Sequence, residues 1–207
     1  MLWSAPRSRS TAFFRMMAER GDFTVVHEPF SYLAEFGYTD VARTRVTSAA
    51  GLLAVLPDLG SRGHVFAKET TGRRYPEVLG SPEFLAGAVH TFLIRHPRET
   101  IASYHAMNPS APAEKIGFES LHEIFAAVSA LNGRSPVVFD AGDLMRRPAD
   151  VAASAGFAAS AGSGASGGSG GTASRRALDV ERHPVLGAYL RHHLPYYEML
   201  HARRLTV

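Results

Sequence analysis

Residues 3–11 read Trp-Ser-Ala-Pro-Arg-Ser-Arg-Ser-Thr, and Phe13, Phe14, Met16 and Met17 follow close behind. That pattern predicts a strand, a tight loop and a helix. The amino end of a helix carries unpaired N–H groups and the positive end of its dipole, so it favours an anion. Ser10 and Thr11 add hydroxyls there, and Arg7 adds a fork of donors. A plainly capped helix, with Ser8 or Ser10 as its N-cap, fits the same residues. A nucleoside-triphosphate loop does not fit: it needs G-x-x-x-x-G-K-[ST], and this segment has neither glycine nor lysine.

A second anion-binding pattern lies at 89–104. A buried-looking strand ends in Arg95, Pro97 opens a helix, and Ser103 stands about two turns on. The carboxyl end of a strand is where open α/β sheets bind ligands. A surface arginine and an incidental helical serine would leave the same trace. Groups able to take a proton close a nearby strand, at His27 and Glu28. Lys68-Glu69 ends another. Lys68 and Lys115 are the only lysines in an arginine-rich chain, so coding bias does not explain Lys68. It is expected either to steer an anion or to pair with Glu69 at the surface. Arg73, Arg74 and Tyr75 are expected to wall an acceptor pocket. His183, His192, His193 and His201 lack a matching carboxylate set and straddle Pro195, so a solvated helix fits them better than a metal site.

These residues must be carried by alternating strands and helices. Strands are predicted at 1–3, 23–27, 64–68, 89–94 and 136–139. Helices are predicted after Ser81-Pro82, over 97–107, from a capping box Ser120–Glu123 to Gly133, and after His183-Pro184 with a break or kink near Pro195. The alternation implies a single α/β domain over 1–207, with a central parallel sheet flanked by helices. The chain has 207 residues, no cysteine and a formal charge of only +3. Disulfides and thiolate metal sites are excluded. The arginines are scattered, which argues against nucleic acid. Residues 1–9 lack the apolar run of a signal peptide, and no run nears the roughly 20 apolar residues that span a bilayer. A cytoplasmic protein with no membrane association is expected. The Ala/Ser/Gly-rich run 158–174 is expected to be a flexible segment, natural or replacing a longer loop.

Together, Pro6-Arg7-Ser8-Arg9-Ser10-Thr11 and the Arg95, Pro97, Ser103 set resemble the sulfotransferase superfamily, in its bacterial branch. His27-Glu28-Pro29-Phe30, the strand 137–139, Asp143-Leu144 and Arg147-Pro148 extend the resemblance over roughly 4–151. It implies a P-loop-like fold and 3′-phosphoadenosine-5′-phosphosulfate (PAPS) as co-substrate, without a metal. Arg7, Ser8, Arg9, Ser10 and Thr11 would hold the 5′-phosphosulfate, and Arg95 and Ser103 the 3′-phosphate. Arg175 and Arg176 stand where members have a basic segment that closes over the co-substrate. The implied reaction moves a sulfuryl group to a hydroxyl of a small-molecule acceptor. Glu28, ahead of His27, is expected to take the proton, and Lys68 to join Arg7 in the catalytic set. Many members carry lysine where Arg7 stands; arginine keeps its proton and acts through charge and hydrogen bonds alone. A small-molecule kinase with a degenerate P-loop and a non-catalytic nucleotide-binding protein remain as alternatives. Acceptor identity and oligomeric state are not legible.

Overall fold

A computed structural model describes residues 1–154 and 178–206. The run 158–174, Arg175 and Arg176 lie outside the described residues. The chain opens with β1 (Leu2–Ser4), α1 (Ser10–Glu19), β2 (Thr24–His27) and α2 (Pro29–Phe36). A short hairpin of β3 (Thr39–Val41) and β4 (Thr44–Val46) leads to α3 (Ala49–Arg62) and β5 (Val65–Thr70). Two short helices, α4 (Pro76–Leu79) and α5 (Pro82–Gly87), precede β6 (Thr91–Ile94) and α6 (Pro97–Met107). A 3₁₀ turn (Ala113–Ile116) connects to α7 (Phe118–Asn132) and β7 (Val137–Asp140). Helices α8 (Ala141–Arg146), α9 (Pro148–Ser154) and α10 (Pro184–His201) complete the described chain.

The main sheet is wholly parallel, in the order β2-β5-β1-β6-β7. Alternate strand residues feed two cores, as the strand period requires. Trp3, Ala67, Phe92, Ile94 and Val138 face a cluster shared with α2, α3, α7 and α10. Leu2, Phe66, Leu93 and Phe139 face Phe13 and Met17 of α1. A sheet covered on both faces leaves its strand ends as the natural place for a ligand. The chain winds from β1 toward β2 on one side and toward β6 on the other. The ends of β2, β5, β1 and β6 therefore lie side by side, spanning about 14 Å at the usual strand spacing.

All five predicted strands are present, shifted by one or two residues. Helix α6 spans the expected 97–107, and α7 ends at Gly133 in a left-handed conformation (φ 62). Two expectations are corrected. The capping box at 120–123 does not form: α7 starts three residues earlier, behind Gly117, and Ser120 is buried inside the helix. The burial of Phe118 and Leu121 in the main core outweighs the local cap. Of the break or kink expected near Pro195, the break is absent: helix α10 continues through it. Its buried stripe of Leu186, Leu190, Tyr197 and Leu200 holds both halves to the same core, which offsets the missing N–H.

Candidate functional site

The loop between β1 and α1 takes an unusual backbone path. Arg7 and Arg9 both adopt left-handed conformations, with φ of 66 and 65. Side-chain-bearing residues hold such angles at a cost of about 1–3 kcal/mol, and they concentrate at functional sites. Arg9 is also the N-cap of α1, and its side chain makes no capping bond. No acidic residue sits in the first turn. A left-handed residue followed by a helical one turns successive N–H groups inward as a concave anion cradle. Ser8 departs from expectation: its side chain is fully buried and its hydroxyl has no hydrogen-bond partner among the described residues. It does not line the cleft, and it does not cap α1.

Because β6 lies beside β1, the second motif folds directly against this loop. Arg95 donates from a terminal nitrogen to the Arg7 carbonyl (3.0 Å) and pairs with Glu99 (2.6 Å). Arg7 Nε donates to the Ser103 hydroxyl (3.0 Å). Residues 88 or more apart in sequence thus form one connected group.

On the other side of β1, β5 carries Lys68 beside the end of β2. Lys68 is buried at 1% exposure, and its Nζ donates to Glu28 Oε1. This corrects the surface pair with Glu69. Lys68 turns to the β2 end, while Glu69 accepts from the Phe30 and Ser31 amides (2.8 and 3.2 Å), the Ser31 hydroxyl (2.5 Å) and the Thr70 amide (2.9 Å). Burial pushes the Glu69 carboxyl up to about 7, with the Ser31 hydroxyl and the Thr70 and Ser31 amides pulling the other way. The Tyr75 phenol closes the network: it meets the Ser31 hydroxyl (3.1 Å) and donates to the Thr70 carbonyl. Burial, then Glu69, pushes that phenol well above its usual range.

His27 and Glu28 are separated by the end of the strand. Glu28 leaves β2 in a left-handed turn (φ 45) and lines the cleft. His27 packs edge-on against Phe14 at 4.9 Å, and its Nδ1 meets the Tyr32 hydroxyl at 3.1 Å. Burial, then neighbouring Lys68, lowers the imidazole pKa, with Glu28 opposing. His27 does not line the cleft; its Nε2 lies 4.0 Å from Glu28 Oε1.

These ends enclose a cleft of about 1050 Å³. That is at the top of the usual ligand-pocket range and leaves room for more than one small molecule. Arg7, Arg9, Ser10, Thr11, Glu28, Lys68, Arg95 and Ser103 all line it. Its cations are Arg7, Arg9, Lys68, Arg73, Arg95 and Lys115, against the carboxylates Glu28 and Glu35. Of the expected acceptor wall, Arg73 is present. Arg74 instead points away to Glu119 and Glu123, and Tyr75 is buried in the core. Lys115, Ser31, Glu35, Tyr104 and Met107 line the cleft without having been singled out. The scarcity of lysine that marked Lys68 also marks Lys115.

The α10 histidines are separately engaged. His183 caps the helix, His192 pairs with Glu119 at 3.4 Å, and His201 meets Arg204. His193 corrects the solvated reading: it is buried, and its Nε2 meets the Ala113 carbonyl at 2.8 Å. A full-length burying stripe on α10 draws it inward.

Fold and cleft define an α/β protein with a cation-rich site at the carboxyl edge of a parallel sheet. The family model described as "Sulfotransferase domain" matches residues 1–175, and the chain belongs to that family. Two Arabidopsis thaliana proteins, branched-chain-amino-acid aminotransferase-like proteins 1 and 2, are each 31% identical over 155 and 156 residues, or 70% of this chain. The chain spans 27% of the length of these relatives. The sulfotransferase domain from the curacin biosynthetic pathway is 14% identical, with a TM-score of 0.41 over 75% of this chain and 71% of that one. At that overlap no residue role transfers. Among the described residues, no helix is long and apolar enough to cross a membrane.

Proposed function

We propose that this member of the family transfers a sulfuryl group from PAPS to a hydroxyl of a small-molecule acceptor, in the cytoplasm and without a metal. The observation that carries this reading is the joined group Arg7, Arg95 and Ser103, with Arg9 lining the same cleft, across from the Lys68–Glu28 pair. The residues present suit a phosphorylated co-substrate. The cleft has a surplus of cations, and the α1 end carries neither a capping side chain nor a competing acid.

Arg7, Arg9, Ser10 and Thr11 would hold the 5′ end, and Arg95 with Ser103 the 3′-phosphate. Bound there, the co-substrate supplies the sulfuryl group that leaves its bridging oxygen for the acceptor. The protein's part is positioning and electrostatics. The Arg7 guanidinium offers permanent positive charge to the departing oxygen. Glu28 has one oxygen on Lys68 and the other without a partner among the described residues, so the second takes the acceptor's proton. Lys68 fixes the direction of that carboxylate. His27, outside the cleft lining, backs Glu28 rather than meeting the acceptor.

Melting measurements with nucleotides test this. Adenosine 3′,5′-bisphosphate should stabilise the protein more than AMP or ATP with magnesium at equal concentration; at 100 times its dissociation constant it adds about 2.7 kcal/mol over the unliganded protein. Equal shifts from AMP and the bisphosphate would refute the two-ended site. A larger shift from ATP with magnesium, together with ATP turnover, would replace the reading with a kinase.

A further inference from the structure

We infer that Glu69 is a positioning residue for the transfer: from β5 it caps the amino end of α2, freeing Glu28 at that end to face Lys68 and the cleft. The inference rests on the proposed function only in taking Glu28 as the proton acceptor.

A helix is usually capped by the side chain of its own N-cap residue, which accepts from N2 or N3. Helix α2 departs from this. Its N-cap is Glu28, which makes no side-chain capping bond and sits in the left-handed region. Pro29 has no N–H to satisfy. The next two N–H groups, of Phe30 and Ser31, go to Glu69 Oε2 at 2.8 and 3.2 Å. Glu69 Oε1 accepts from the Ser31 hydroxyl and the Thr70 amide. Two carboxylates thus divide work that one would ordinarily do. Glu69 is fully buried and spends both oxygens on the helix end and its own strand. Glu28 retains one-fifth of its side-chain exposure and turns to the cleft.

The division also explains how Glu28 is held in a backbone conformation that residues with side chains rarely adopt. Its amide donates to the Lys68 carbonyl at 2.7 Å, its Oε1 meets Lys68 Nζ, and the residues after it are tied to Glu69. All three restraints come from β5. Without Glu69, the first turn of α2 loses its acceptors while Glu28 becomes the nearest carboxylate able to replace them. That replacement would draw Glu28 away from the cleft.

Glu69→Gln tests this, since it keeps the volume but turns an amide donor toward one of the two donor pairs. Exchange of the Phe30 and Ser31 amides should accelerate. Turnover should fall at least about tenfold, toward the roughly 100-fold that a 1 Å misplacement costs. Bisphosphate affinity should stay within about twofold. In a Glu28→Gln background the same substitution should change the residual rate by less than about twofold, because both act through one carboxylate. An equal loss in both backgrounds, or unchanged turnover and exchange, overturns the inference. If Glu28→Gln alone leaves turnover intact, the base assignment falls, and Phe30 and Ser31 exchange in Glu69→Gln still decides the positioning. Should Glu69→Gln not fold, Ser31→Ala removes one donor to Oε1. It should show the same cycle with a smaller effect, and additive losses there overturn the inference equally.

Discussion

At the scale of single residues, the Lys68–Glu28 pair carries both chemistry and stability. Lys68 is buried, so neutralising its partner leaves a charge without compensation. Glu28→Gln is therefore expected to do two separable things. Turnover should fall at least about 100-fold, the usual worth of a general base. Stability without ligand should fall by about 2 kcal/mol, less than for a fully buried pair because Glu28 is partly exposed. His27→Ala should keep turnover within about tenfold, since His27 contacts Phe14 and Tyr32 and stays outside the cleft lining. Steady-state rates and urea melts on the two variants check this. A large loss for His27→Ala with none for Glu28→Gln reverses the assignment. Arg95→Ala should abolish most of the preference for the bisphosphate over AMP, because it removes a charged donor at the predicted 3′-phosphate end. Calorimetric titration of both nucleotides reads that preference directly.

At the scale of elements, the β1–α1 loop concentrates strain where the anion is expected. Arginine at a left-handed position costs roughly 1–2 kcal/mol that glycine avoids, while glycine loses about 0.5–1 kcal/mol through chain entropy. Arg9→Gly should therefore leave the melting temperature unchanged or raised, yet weaken bisphosphate binding about tenfold or more through the lost charged donors. A marked drop in melting temperature would show that the Arg9 side chain holds the loop together. The turn that carries Lys115 depends on Gly117 in the opposite sense. Its φ is +83, and a Cβ there would lie 2.4 Å from the Thr71 carbonyl oxygen and 3.0 Å from Pro6. Gly117→Ala should cost about 2 kcal/mol or more, from the left-handed backbone and the clash with main-chain atoms. A urea melt within about 0.5 kcal/mol of the native protein would contradict this, a difference ordinary for a neutral surface change.

At the scale of the whole molecule, the parallel sheet brings four distant segments to one edge, and buried polar contacts underneath keep the sheet together. His90 is such a contact: its Nδ1 accepts from the Trp3 indole at 2.9 Å, and both residues are buried. Burial, then the nearby amino terminus, pulls the imidazole from 6.5 down to about 3. The fold thus keeps His90 neutral while the unfolded chain takes a proton below pH 6.5. Its contribution is fully present above that pH and is lost as pH falls from about 6.5 toward about 3, at up to about 1.4 kcal/mol per pH unit. His90→Gln, whose carbonyl can still accept from Trp3, should flatten this part of the stability profile. Urea melts at pH 7 and pH 5 decide it: an equal acid loss in the variant assigns the effect to another group.

What the sequence determined by itself was local. The strand-loop-helix at the start of the chain, the Arg95–Pro97–Ser103 spacing and the α6 boundaries all follow from residue types a few positions apart, and they were legible in the sequence. So was the scarcity of lysine that points to Lys68 and, equally, to Lys115. Tertiary structure decided what each of these residues faces. That Lys68 meets Glu28 while its neighbour Glu69 caps α2 depends on β5 lying between β1 and β2, which no local pattern states. The left-handed backbone at Arg7, Arg9 and Glu28 was also hidden, because L-residues with side chains adopt it only when surrounding contacts outweigh its cost. The failed capping box at Ser120 and the unbroken helix through Pro195 share that reason. A local preference of about 1–3 kcal/mol gives way where an apolar face several turns long is buried.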